Sequence, residues 1–321
     1  MAPSPPHAST SSISPNILSS SLPASPTSTS SSRLEEYLLL LLSDSNLPTG
    51  GFVASSGLES FDQHGYISSL SKETGLVSFV QKSLDNYSKV NGEIVRRSWG
   101  LIEGYKLDEG KGKGKEKEDL VMENLLKVDR LCSSMILNQV SSRASIAQGN
   151  ALLSLYSRAL APTRPNTREQ GIVEVVERIR REVRSGKGGW KGNQSTAFGI
   201  VMSATGLSLD RTLHLFLFLH ARSILSSAVR LNLIGPYLAH RLLLWDIRSL
   251  VDEATEHLVQ SSRPGTKEQE EVVEEDWWEN DKEWGFVKDS GGRAREPVTT
   301  WPLGEIVASR HDQLFTKVFN S

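Results

Sequence analysis

The chain has 321 residues, 38% of them hydrophobic and 23% charged, with a formal net charge of −2 and a sequence pI of about 6.4. That length allows one large domain or two ordinary ones, and the slightly low apolar share fits a packed core diluted by polar tails and loops. With no strong field of one sign to draw it onto nucleic acid or an anionic membrane, the protein is expected to partner neither.

From the N-terminus, residues 1–33 are almost all Ser, Thr, Pro and Ala, with no Asp, Glu, Lys or Arg before Arg33. This stretch lacks the basic start and apolar run of a secretory signal and the spaced arginines of a transit peptide. A disordered tail and cytoplasmic residence are predicted. Leu34, Tyr37, Leu38, Leu41 and Leu42 then open a short helix; its run from Leu38 to Leu42 is far too short to cross a bilayer. After Ser43-Asp44-Ser45-Asn46, the segment with Pro48, Gly50 and Gly51 reads as a loop, because Pro and paired Gly break regular structure. Ser55 or Ser56 can cap a second short helix bearing Leu58 and Phe61.

Apolar residues at three- and four-residue spacing continue through Leu76, Phe79, Val80 and Leu84, then Ile94, Val95, Trp99 and Ile102, then two segments between Leu120 and Leu160. The most apolar part of the chain, from Ala197 to Val259, holds a long run that Ser208 can cap and a further run from Leu238 to Leu258. Period-two alternation never persists. The expected fold is therefore all-α: a single-domain helical bundle over 34–321, interrupted by surface insertions at about 109–119, 161–194 and 261–300.

The first insertion alternates Gly with Lys and then Lys with Glu, the composition of a solvated loop. The second contains Ile172, Val175, Val176, Ile179 and Val183 on one face of a short, highly charged helix. The third carries Trp277, Trp278 and Trp284 in an acidic context. These aromatics either form a partner-binding patch or tack a long loop back onto its own domain.

No catalytic constellation emerges. None of the seven His forms an i, i+4 pair, and Cys132 is the single cysteine, so a metal site of imidazole and thiolate ligands is not expected. Cys132 itself lies in an apolar helical pattern and reads as a small buried hydrophobe. Val53-Ala54-Ser55-Ser56-Gly57 is not a nucleophile elbow, and the Gly/Lys run near Gly110 lacks the ending of a phosphate loop. No enzyme activity and no bound cofactor are predicted, and residue chemistry alone leaves open a helical scaffold in some cytosolic complex.

The nineteen residues from Leu41 to Glu59 (LLSDSNLPTGGFVASSGLE) resemble the signature of the UreF family of urease accessory proteins. Phe198-Gly199-Ile200 through Gly206-Leu207-Ser208, with Ala228-Val229-Arg230-Leu231, look like that family's central helices. Pro302 through Arg310-His311-Asp312 to Ser321 is similar to its C-terminal tail. The resemblance implies an all-α homodimer that joins a UreH (also called UreD) protein and the GTPase UreG to admit nickel to apo-urease, with nickel handled by the complex and the GTPase regulated rather than any reaction catalysed. It places Phe52, after the Gly turn, and the tail residues His311, Phe315, Lys317 and Phe319 on the partner surface. Lys317 stands where the family usually has Arg. Pro48, Gly50, Gly51 and Gly57 are expected to shape the turn, and Asp44 and Glu59 to cap helices. The aromatic tail is expected to be mobile and to order on binding.

Overall fold

The computed structural model describes residues 27–44, 46–48, 54–67, 71–107, 114–186, 188–260 and 297–319. Among them there is no strand, and the molecule is all-α. In chain order the helices are α1 (Thr27–Leu42), α2 (Leu58–Gln63), α3 (Lys72–Tyr87), α4 (Glu93–Leu107), α5 (Gly114–Met135) and α6 (Gln139–Leu155). They are followed by α7 (Thr167–Ser185), α8 (Gln194–Ala204), α9 (Leu209–Arg230), α10 (Pro236–Trp245), α11 (Arg248–Gln260) and α12 (Pro302–Ser309). A π-helical turn, Ser88–Gly92, carries α3 straight into α4.

Helix α9 is the axis, packed against α2, α3, α4, α8, α10 and α11. It is long and apolar enough to cross a membrane by length and composition, yet 72% of its apolar window is buried, as befits a core helix. Beside it, α8 is buried on all sides from Ser195 to Ser203, which is why its sequence is apolar or small all round rather than striped. Trp99 Nε1 on α4 donates to Leu207 O at 2.9 Å, fixing α4 against the end of α8. One contiguous core draws apolar side chains from every helix between α1 and α11.

Local chemistry sets the helix starts. Ser71 Oγ accepts Thr74 N–H at 3.2 Å at the head of α3, and Asn138 Oδ1 accepts Ser141 N–H at 2.7 Å at the head of α6. At α7, Asn166 Oδ1 takes Glu169 N–H at 3.0 Å while Glu169 Oε2 takes Asn166 N–H at 2.8 Å. This reciprocal pair satisfies two amides that a helix terminus leaves open.

Three boundaries differ from the sequence reading. Helix α1 starts at Thr27, inside the stretch read as tail. Helix α5 starts at Gly114, so the Lys/Glu half of the first insertion is helical. Lys and Glu are strong helix formers, and Arg178 on α7 pairs with Glu118 at 2.9 Å and Asp119 at 2.7 Å, tying this start to the bundle. Most of the second insertion is α7, whose Ile172, Val175, Val176, Ile179 and Val183 are all buried in the main core. It is a structural helix of the bundle. The three tryptophans of the third insertion lie outside the described residues.

Candidate functional site

The two terminal segments that resemble a family signature, far apart in sequence, meet in space. Residues 55–60 form a seat, and residues 297–319 form a strap that lies in it. Ser55 Oγ accepts Glu59 N–H at 3.4 Å and opens α2. Ser56 and Gly57 follow with φ of 52° and 83°. A Cβ on Gly57 would stand 3.0 Å from Ala308 Cβ, so glycine here serves both the left-handed backbone and the close approach of α12. Leu58 is fully buried in the core. Ser60 Oγ donates to Val307 O at 2.6 Å, fixing α2 to α12.

Glu59 is 1% exposed, and its carboxylate does not reach back to cap its own helix. Oε1 accepts Val318 N–H at 2.6 Å and Oε2 accepts Phe319 N–H at 3.1 Å. His311, also 1% exposed, places Nε2 3.1 Å from Phe319 O, where it donates because a carbonyl only accepts. Its Nδ1 lies 3.8 Å from Glu59 Oε2 and has no hydrogen-bond partner. Gln63 Nε2 donates to Thr316 O at 2.9 Å and Lys317 Nζ to Asp312 O at 2.8 Å. Arg143 on α6 grips Asp312 with bonds of 3.0 and 2.9 Å, which hold the Asp312 carboxyl below its usual range.

The start of the strap is fastened as firmly. Asn86 Oδ1 accepts Thr300 N–H at 2.8 Å and Trp301 N–H at 3.2 Å. Glu305 accepts from Asn86 Nδ2 at 3.2 Å and from Asn138 Nδ2 at 2.7 Å. Trp301 meets Phe61 and Phe79 edge-on, with centroids 5.7 and 5.2 Å away. No local pattern announces the strap contacts of Asn86, Asn138, Arg143, Gln63 or Glu305, because in each of them the partner lies in a distant part of the chain.

The site residues expected from sequence therefore divide. His311 and Phe319 are buried, the Phe319 ring lying 5.7 Å from the Arg230 guanidinium carbon. Phe315 is fully exposed and Lys317 is also exposed. The tail is docked on the seat through main-chain groups of Thr316, Val318 and Phe319. Asp44 Oδ1 accepts Asn46 N–H at 2.9 Å, a turn closing the end of α1, and Pro48 is half-buried just beyond. Gly50, Gly51 and Phe52 lie outside the described residues.

Behind the seat, the 54–57 turn, α3, α6, α9 and α12 line a partly open cavity of about 150 Å³ of mixed polar and apolar character, with Ser83, Asn86, Gln148, His220, Ser223 and Glu305 among its polar side chains. His220 Nε2 lies 2.9 Å from Ser83 Oγ and the ring stacks on Tyr87 at 3.8 Å. Burial pushes its pKa down to about 3. Below the ordinary value of about 6.5 the unfolded chain binds a proton that the folded chain refuses, so His220 costs stability progressively as pH falls from 6.5 towards 3. Urea denaturation is expected to show His220→Gln losing about 1–2 kcal/mol less than the parent between pH 7 and pH 5; equal losses would show that the folded chain accepts the imidazolium as readily as the unfolded one.

Cys132 is buried, and burial first, then the Asp129 charge, pushes its thiol up to about 12, the state of an inert core residue. Among the described residues no group of three His, Cys, Asp or Glu side chains could hold a metal ion.

Comparison with known proteins bears on this arrangement. The UreF family model matches residues 70–245. Urease accessory protein 6 of Cryptococcus neoformans var. grubii is 37% identical over 317 residues, covering 89% of this chain and 97% of that protein. An uncharacterised UreF-like urease accessory protein of Schizosaccharomyces pombe is 26% identical across 90% of this chain and 99% of its own length. Urease accessory protein F of Arabidopsis thaliana is 26% identical across 87% of this chain and 90% of its own.

Proposed function

The chain belongs to the UreF family of urease accessory proteins, non-catalytic helpers of urease maturation, and on that premise we propose that it works by assembly. Its partners are a UreH/UreD-type accessory protein, the GTPase UreG and apo-urease. It joins them in the cytoplasm as a homodimer, and by regulating the GTPase it supports nickel insertion, nickel being the cargo of the complex.

The observation that carries this reading is the docked strap with Phe315 fully exposed at its turn. A large aromatic ring held in water on a fastened backbone is a ready anchor, because buried aromatics dominate interface energies. Val318, 62% exposed, adds an apolar neighbour. Lys317 contributes a positive charge to the same stretch, as a point charge rather than the planar fork of Arg. Phe52, just upstream of the seat in sequence, is proposed to share this surface, while His311 and Phe319 serve it from beneath.

Co-expression with the UreD-type protein and the GTPase, followed by sizing, tests the assembly. The expected result is one complex containing two copies of this chain. Phe315→Ala and Phe52→Ala are each expected to weaken GTPase recruitment by about tenfold with unchanged helical content. Unchanged recruitment in both variants would refute the contact surface. Failure of the parent chain, well expressed, to restore urease activity to a strain lacking its UreF protein would sink the functional reading itself.

A further inference from the structure

We infer that the groove between α3 and α11 is a docking site for the chain's own third insertion, which lays Trp284, Phe286 and Val287 into it. This goes beyond the function proposed above and does not depend on the surface at Phe315. The groove has a volume of about 700 Å³ and is open to solvent. Its floor is apolar, built from Leu84 of α3 and from Leu250, Ala254 and Leu258 of α11. The π-helical turn adds Ser88 and Lys89 to the wall. At Gly92 a Cβ would stand 2.5 Å from Leu258 Cδ1, so glycine is what lets α11 come this near. The path of the chain points to the occupant. Residues 261–296, which lie outside the described residues, leave α11 just past Leu258, and the described chain resumes at Pro297 beside Val298, another lining residue. Thr300 Oγ1 then donates to Asp85 Oδ2 at 2.8 Å on the α3 wall. The insertion thus begins and ends at one groove. A segment within it reaches the floor without crossing the molecule, and its length adds little to the entropy cost of closing the loop.

Composition selects the part that docks. The lining carries three carboxylates, Asp85, Glu93 and Glu253, against one ammonium, Lys89. The first half of the insertion holds Glu268, Glu270, Glu271, Glu274, Glu275 and Asp276, with Trp277 and Trp278 directly after them. Like charges keep that run in water. Trp284-Gly285-Phe286-Val287, by contrast, gathers three large apolar side chains between Lys282 and Lys288. Glu93 is already paired with Arg96 at 2.6 Å and Arg97 at 2.8 Å, and Asp85 with Lys89 at 2.9 Å. Glu253 makes only a 3.9 Å approach to the His257 ring, and its side chain is 70% exposed, so it is the rim carboxylate best placed for a flanking lysine. An indole, apolar with one donor and no acceptor, suits an apolar floor beneath a rim of carboxylates.

Limited trypsin digestion of the full chain, read by mass spectrometry, tests this at matched sites. Lys267, Lys282 and Lys288 are each followed by an acidic residue, Glu268, Glu283 and Asp289, so an undocked insertion would be cut at similar rates after all three. Cleavage after Lys282 and Lys288 is expected to be about tenfold slower than after Lys267, because a protease cuts the open form. Ala254→Arg, which sets a long charged side chain on the groove floor, is expected to bring the three sites to one rate. The double variant Trp284→Ala with Phe286→Ala, confined to the insertion, should do the same. It should also speed hydrogen exchange along α11 and residues 84–89 by about threefold or more while α8 keeps its protection, and it decides the matter if Ala254→Arg does not fold. Equal cleavage at the three lysines of the parent would overturn the proposal. So would slow cleavage that survives in folded Ala254→Arg, since the segment would then dock elsewhere. Protection of residues 84–89 that appears only on adding the UreD-type protein and the GTPase would assign the groove to a partner and equally overturn it.

Discussion

Asp129→Ala is expected to lower folding stability by about 3–5 kcal/mol, a large part of the total for a domain of ordinary stability. Asp129 sits on α5 with no solvent exposure. Its carboxylate accepts Lys191 N–H at 2.7 Å, Gly192 N–H at 3.0 Å, Asn193 N–H at 2.9 Å and Asn193 Nδ2 at 2.9 Å. Asn193 Nδ2 also approaches Asp129 O at 3.1 Å and Ser133 Oγ at 2.8 Å, so the whole turn before α8 folds around this one side chain. The turn delivers the chain into the buried start of α8, where the helix N-terminus favours a negative charge.

Alanine would strand three consecutive backbone amides, those of Gly192 and Asn193 in buried residues, at about 1–3 kcal/mol for each buried unsatisfied group before relaxation. Asp129→Asn is the finer probe, because it keeps the volume but turns an NH2 towards donors; it is expected to cost nearly as much. Urea denaturation followed by far-UV circular dichroism measures both. An alanine variant within about 1 kcal/mol of the parent would mean that water reaches this turn.

The sequence carried the helical periodicity clearly, because apolar spacing is a local signal that survives without knowledge of neighbours. It carried less of the site. Glu59 read as a cap because an acidic residue in a first helical turn usually interacts with its own helix terminus; its actual partners, Val318 and Phe319, are separated from it by almost the whole chain. His311 and Phe319 were placed on the partner surface by the resemblance of the tail to the family's; both are buried, with Glu59 and Arg230 close by. Phe315, placed on the partner surface by the same resemblance, is fully exposed among the described residues.

A similar contrast explains the two misread insertions. The apolar face of α7 was visible at 172, 175, 176, 179 and 183, but the charge of the remaining positions suggested a surface helix. The charges in fact pair along the outer face, as in Arg180 with Glu177 at 2.8 Å, while the apolar stripe faces the core. At the head of α5, alternating Gly and Lys and then Lys and Glu suggested a loop; from Gly114 on the Lys/Glu part is helical, and the pairs that Arg178 makes across from α7 reinforce it. Composition misled in both places because it averages over faces that the tertiary structure treats oppositely.

Gly149→Ala is expected to destabilise the bundle by about 3 kcal/mol, at the upper end for overpacking, although alanine is intrinsically the better helix former by about 1 kcal/mol. Gly149 lies on α6 where the turn held by Asp129 passes over it. A Cβ there would stand 2.0 Å from Gly192 O and 2.8 Å from the Asn193 carbonyl carbon. Both are backbone atoms, already pinned from the other side by Asp129, so neither can swing aside as a side chain would.

Gly104 on α4 is the control: a Cβ there meets nothing within 4 Å, and Gly104→Ala is expected to stabilise by about 0.5–1 kcal/mol. One chemical change with opposite signs at two helical glycines separates close approach from propensity. The Asp129→Asn and Gly149→Ala effects should also be less than additive, because once the turn is unclamped it can retreat from the added methyl. Additive losses in denaturant titrations would show that the turn is held elsewhere, and equal stabilisation at both glycines would show that α6 and the turn are farther apart than 2.0 Å implies. Since α6 also carries Arg143, which grips the strap at Asp312, a shifted α6 should loosen the partner surface, and partner affinity of folded Gly149→Ala would register that displacement.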